Sequence, residues 1–187
     1  DNNDLFVAEN HISKIDKEAN DKMIDYVSLL FKKVYDAYLK ENNTKVYLSI
    51  VPDKNYFIAE KNNFPSMDYD SFINKVITKN DYMKYIDIIP LLSAEDYYYT
   101  DTHWKQENII DVSEKLITNM QGNFIGTEYK ENVLNRPFEG VYKGQLALPF
   151  ENDTIKYLTS NTLDVATTVY YDTGKPKCSE ECNPACG

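Results

Sequence analysis

Arginine, histidine and glycine are scarce in this sequence, and cysteine is missing from most of it. Of the 20 cationic Lys and Arg residues, only Arg136 is an arginine. Bidentate clamping of phosphate is mainly arginine chemistry, so a nucleotide site built on guanidinium forks is disfavoured. A formal charge of -10 argues against nucleic acid, whose binding needs a clustered basic face. Neutral polymer or sugar substrates fit such a surface better. No run of about 18 apolar residues occurs, so no segment reads as membrane-spanning. The opening DNNDLFVAEN has neither an initiator Met nor a signal-peptide pattern. It reads as a mature or trimmed start, from which any exporting or anchoring segment has been removed.

The cysteines are confined to the end: residues 1–177 contain none, and Cys178, Cys182 and Cys186 follow in KCSEECNPACG. Three readings stand. A metal site would lack a fourth ligand at the usual zinc spacings. One disulfide with a spare thiol suits an oxidising compartment. A tail foreign to the domain best fits the abrupt change of composition. No metal and no cofactor is called for elsewhere.

What is present is apolar and aromatic: 42% hydrophobic and 13% aromatic residues are enough for one full core, with room for a small lobe. From 17 to 40, Met23, Val27, Leu30, Val34 and Tyr38 recur at spacings of three and four, predicting an amphipathic helix that Asn42 and Asn43 end. KVYLSIV, 45–51, predicts a strand covered on both faces, stopping at Pro52-Asp53-Lys54. Phe72, Ile73, Val76 and Ile77 mark a second helix over 68–83, YIDII (85–89) a second buried strand closed by Pro90, and Ile109, Val112, Leu116 and Met120 a third helix over 105–121. This alternation is that of a parallel α/β sheet. After Gly122 the pattern changes, and EGVYKGQLAL and LDVATTVYYD read as strands of a small β lobe. The expected division is therefore an α/β domain over 1–121, a β-rich lobe over 122–177 and an atypical tail over 178–187.

YYYTDTHW, 97–104, falls in the loop after the second strand, at the edge where open α/β sheets bind ligands. Asp101 and His103 are two apart, so in extended backbone both side chains point the same way. The carboxylate then fixes the imidazole tautomer and leaves the other nitrogen to accept a proton. The competing reading is structural: His103 caps the next helix or packs on Trp104, with Asp101 or Thr102 as N-cap.

TDTHW before a polar helix start resembles the motif of SGNH-hydrolase-like proteins of the alginate O-acetylation type and of the related DHHW family. The strand ending in PDK and the strand ending in Pro, IDIIP, are similar to that family as well. The resemblance runs from about 20 to 121, and more loosely to 177. It implies a flavodoxin-like three-layer α/β/α sheet with parallel strands, and O-acetyl transfer or hydrolysis on extracellular polysaccharide. His103 would be the general base and Asp101 its orienting carboxylate, with Trp104 a pocket wall or a packing residue.

The family's nucleophilic Ser follows the β lobe in an elbow-like segment, and none of the serines here has a neighbouring Gly to permit such an elbow. The resemblance therefore implies an esterase or acetyltransferase domain present without its serine. The rival reading is a non-catalytic polysaccharide-binding or envelope-assembly module. Secondary candidates around the motif are Ser93, in the right loop region; Lys54, which could steady developing negative charge or lie in a solvated turn; and Tyr99, whose ring could stack on sugars or belong to a half-buried strand. An extracytoplasmic location goes with this family.

Overall fold

The chain opens with a hairpin that no sequence signal was read for. Strands β1 (Leu5–Ala8) and β2 (His11–Lys14) pair antiparallel through a two-residue turn in which Glu9 and Asn10 have φ of 51° and 64°. Such left-handed turns match the twist of the flanking strands. The computed structural model describes residues 4–16, 18–146, 149–161 and 163, with the backbone of 169–170 and 175–176. The expected strand over 163–172 lies mostly outside the described residues, and the cysteine tail wholly so.

The first helix, α1 (Asp21–Val34), is capped by the Asn20 side chain, which accepts from Met23 N–H at 3.1 Å. It runs on as a π-helical turn over Tyr35–Leu39 and ends near Asn43, φ 50°. Its buried residues are Ile24 and Ser28, not the predicted stripe: Met23, Leu30, Val34 and Tyr38 are exposed. Polar contacts select the face. The buried Asn80 amide donates to Ser28 Oγ at 3.0 Å, and Lys75 and Lys79 pair with Asp21 and Asp25. An unmet buried amide costs more than an exposed apolar side chain.

Strand β3 (Tyr47–Leu48) is shorter than expected, with 46–50 half-buried and Val51 exposed rather than covered on both sides. At Pro52-Asp53-Lys54 the chain turns directly into α2 (Lys54–Ile58), capped by Asp53. Helix α3 (Tyr69–Lys79) starts at the Asp68 cap, within the expected range. It leads to β4 (Lys84–Tyr85), which lies parallel to β3 with Tyr47 opposite Lys84. Parallel neighbours require a crossover, and α2 and α3 supply it. Ile86 and Ile88 are buried, but Pro90 sits inside a 3₁₀ turn, Ile89–Leu91, which ends the extended run early. Helix α4 (Ile110–Asn119) follows a 3₁₀ turn at Gln106–Asn108. It sets Val112 and Leu116 against Ile86, Ile88 and Leu92.

Strands β5 (Lys130–Phe138) and β6 (Asp153–Thr159) form an antiparallel pair. Between them EGVYKGQLAL, expected as strand, forms α5 (Val141–Leu146). A last antiparallel pair joins β7 (Val169–Tyr170) and β8 (Lys175–Pro176). The fold is thus mixed α/β. Among the described residues its sheets are two-stranded, so the three-layer parallel sheet is represented only by the β3–β4 pair. No helix of the described residues is long and apolar enough to cross a membrane.

Candidate active site

Residues 96–105 fold back on themselves. Lys105 N–H donates to Asp96 O at 2.7 Å, Tyr98 N–H to His103 O at 3.1 Å, and Tyr97 bridges Trp104. TDTH is the tip of this loop. The three tyrosines before it are graded in depth. Tyr97 is buried, with its hydroxyl donating to Pro52 O at 2.6 Å. Tyr98 is buried against Phe138, and Tyr99 is 38% exposed. Burial pushes the phenol pKa of both Tyr97 and Tyr98 up.

At the tip, Asp101 Oδ1 lies 2.6 Å from His103 Nδ1 and accepts the His103 backbone N–H at 3.0 Å. Asp101 Oδ2 accepts the Val141 N–H at 2.9 Å. The carboxylate is buried while the His103 side chain is 77% exposed. Burial alone would raise the Asp101 pKa. The hydrogen bonds from the Val141 amide and from the His103 ring and amide outweigh it and hold the group below the usual carboxylate value. With Nδ1–H donated to Asp101, Nε2 carries the lone pair, and among the described residues it has no hydrogen bond. His103 also borders a hollow of about 200 Å³ lined by Val51, Pro52, Asp53, Tyr97, Thr102 and Trp104. Chemically this is a buried anion fixing an exposed base beside an open space.

Most of what holds the tip comes from residues the sequence did not flag. Asp153, at the start of β6, accepts Tyr99 N–H at 2.8 Å, Thr100 N–H at 2.7 Å and the Thr100 hydroxyl at 2.6 Å. Three successive amides at the start of α5 meet the same turn: Gly140 N–H donates to Thr100 Oγ1, Val141 N–H to Asp101, and Tyr142 N–H to Thr100 O. The approach is so close that a Cβ on Gly140 would lie 2.2 Å from Thr100 O. Only the glycine in EGVY hinted at this, and it was read as a turn between strands. Asp53 is likewise engaged, accepting from Ser13 Oγ and Thr102 Oγ1, each at 3.1 Å.

The secondary candidates fall in different places. Trp104 both lines the hollow and packs on the Ile86–Ile88–Val112 cluster. Lys54 lies neither in a solvated turn nor in the hollow. It is fully buried, with Nζ donating to Tyr98 O and Tyr99 O. Tyr99 faces a separate cleft of about 630 Å³ shared with Lys105, Asn108, Asp153 and Lys156. Its ring is already packed by the His11 imidazole at 4.6 Å and by the Lys105 ammonium at 4.7 Å. Ser93 is a helix cap, its hydroxyl bonded to Asp96, and it does not line the hollow.

No family model and no curated protein matches the sequence. Solved structures do match the fold. Bacillus cereus PatB1 has a TM-score of 0.67 at 17% identity, with 95% of this chain and 66% of that one covered. The O-acetyltransferase domain of Pseudomonas putida AlgJ has a TM-score of 0.58 at 15% identity, covering 84% and 65%. A DHHW family protein from Eubacterium siraeum has a TM-score of 0.59 at 18% identity, covering 87% and 54%. The chain therefore spans between about half and two thirds of the length of these neighbours. Its fold is one shared with an O-acetyltransferase domain and a DHHW family protein.

Proposed function

We propose that this chain is the base-bearing part of an SGNH-like carbohydrate O-acetyl esterase or acetyltransferase, working outside the cytoplasm on cell-envelope or extracellular polysaccharide. The observation that carries the reading is the Asp101–His103 pair, a buried charged acceptor at 2.6 Å from the Nδ1 of an exposed imidazole beside a hollow. In such a pair His103 Nε2 takes the proton of an attacking hydroxyl as its oxygen bonds to the acetyl carbonyl carbon. Asp101 stabilises the imidazolium so formed. The proton then passes to the leaving alkoxide. Water or a sugar hydroxyl, activated the same way, releases the acetyl group. The structural likeness to an O-acetyltransferase domain supports acetyl as the group transferred.

The described residues lining the hollow include no serine. We assign the nucleophile to a serine outside these 187 residues. Residues 122–177, expected as a separate lobe, contribute Val141 and Asp153 to the loop that bears the pair.

The test is hydrolysis of an aryl acetate. In a longer protein that carries the serine, His103→Ala should abolish turnover, because triad members act as a unit and loss of one costs on the order of 10⁶ in rate. The 187-residue chain should show no turnover that depends on His103. Turnover by that chain, lost on His103→Ala, would put the nucleophile inside it. Turnover by neither protein would favour the non-catalytic polysaccharide-binding module.

A further inference from the structure

Lys54 occupies the first position of α2 and is fully buried. A buried ammonium is costly unless its donors are met, so its partners show what it is for. Nζ donates to the carbonyls of Tyr98 at 2.8 Å and Tyr99 at 3.2 Å, and lies 5.4 Å from the Tyr142 ring centroid. These are the two carbonyls immediately before Thr100 and Asp101. The charge is directed at the main chain of the loop, from the side opposite in sequence to the Asp153 and α5 contacts.

We propose that Lys54 is a positioning residue for the site: its ammonium holds the Tyr98 and Tyr99 carbonyls, and its protonation is coupled to the geometry of the Asp101–His103 pair. The purpose of this latch rests on the acyl-transfer reading, but its test does not.

The surroundings make the coupling operative near neutral pH. Burial pushes the Lys54 pKa down to about 8, against the pull of Asp53 at the α2 cap, Asp153 of β6 and Asp101 of the loop. Lys105 adds to the lowering. The Tyr142 ring of α5 also faces it, and His11 of β2, whose pKa is lowered chiefly by burial, is lowered further by Lys54. Once neutral, the amine keeps its N–H donors but loses the charge that strengthens them. Its attraction to the three aspartates is then lost, and the loop backbone loosens.

The experiment follows the amides of residues 98–103 of the ¹⁵N-labelled chain, with Lys54 Nζ and the His103 Nδ1 proton, as pH is raised. The Tyr99, Thr100 and Asp101 amides should shift together with the Nζ midpoint, near pH 8. Above it the Nδ1 proton should exchange about tenfold faster than the rise in intrinsic exchange with pH accounts for, the sign of a loosened local unit. In Lys54→Met, which keeps the side-chain volume, the common midpoint should vanish and the fast exchange should already be present at neutral pH. Loop amides that stay flat while Nζ titrates would overturn the proposal, as would a folded Lys54→Met chain with slow Nδ1 exchange. If that variant does not fold, the titration of the unaltered chain decides. None of these readouts involves turnover, so the latch and the acyl-transfer reading fail separately.

Discussion

Asp101 accepts three hydrogen bonds in a site almost closed to water, and its charge is what orients His103. Its pKa in the fold lies below its ordinary value of 3.8. A depressed carboxylate contributes stability that is present above the unfolded value and is lost as pH falls through the folded one. Asp101→Asn should therefore flatten the acid limb of the stability curve as pH falls from the unfolded value through the folded one, as measured by urea unfolding at stepped pH. An acid limb unchanged in the variant would show that the three donors add nothing to the charged form. On the proposed acyl-transfer reading, the same change in a longer protein that carries the serine should lower kcat by about 10⁴, because an amide does not hold the imidazole in the required tautomer.

The loop that bears this pair is positioned by elements distant in sequence, and its main chain runs directly against Gly140. An alanine there would drive its Cβ into main-chain atoms of Thr100, 2.2 Å from the carbonyl oxygen, and to 2.6 Å from Asp101 Cβ. Backbone cannot step aside as a side-chain end can, so Gly140→Ala should cost about 1–3 kcal/mol in chemical denaturation. It should also broaden the Thr100 and Asp101 amide signals. Stability within error of the unaltered chain would mean that α5 does not clamp the turn. For α1 the test is of helix phase. Ile24→Ala should cost about 2–4 kcal/mol as a buried truncation, whereas Val34→Lys on the exposed face should stay within about 0.5 kcal/mol. The reverse order would restore the face predicted from the apolar spacing.

Across the whole molecule, the buried apolar residues among those described form three small clusters. One joins Phe6, Ile58, Ala59 and Ala94, a second Ile86, Ile88, Leu92 and Val112, and a third Leu5, Ile12 and Tyr142. Helix α1 contributes to none of them. Local stability follows burial and contact density, so hydrogen exchange should be slowest around Ile58, Ile86 and Val112 and markedly faster along α1. Uniform protection over these elements would show that the clusters act as one cooperative core. The loop at 97–104 touches all three clusters, through Tyr97 on Phe57, Trp104 on the second and Tyr142 on Thr100. That gives a short segment an anchorage its own length does not provide.

The sequence by itself determined the local facts. TDTHW put Asp101 and His103 two residues apart, the apolar positions Phe72, Ile73, Val76 and Ile77 marked α3, and KVYLSIV with YIDII identified two strands that do pair in parallel. These rest on spacings within a few residues, which backbone geometry converts directly into direction. Tertiary structure decided the rest. The phase of α1 was set by Asn80 and two lysines more than 50 residues away. Val141–Leu146 became helical with the amides at its start against Thr100 and Asp101, and the lysine of the expected solvated turn became a wholly buried ammonium under Tyr98 and Tyr99. Those outcomes depend on which distant donors and acceptors must satisfy one another once water is excluded, and periodicity carries no record of such pairings.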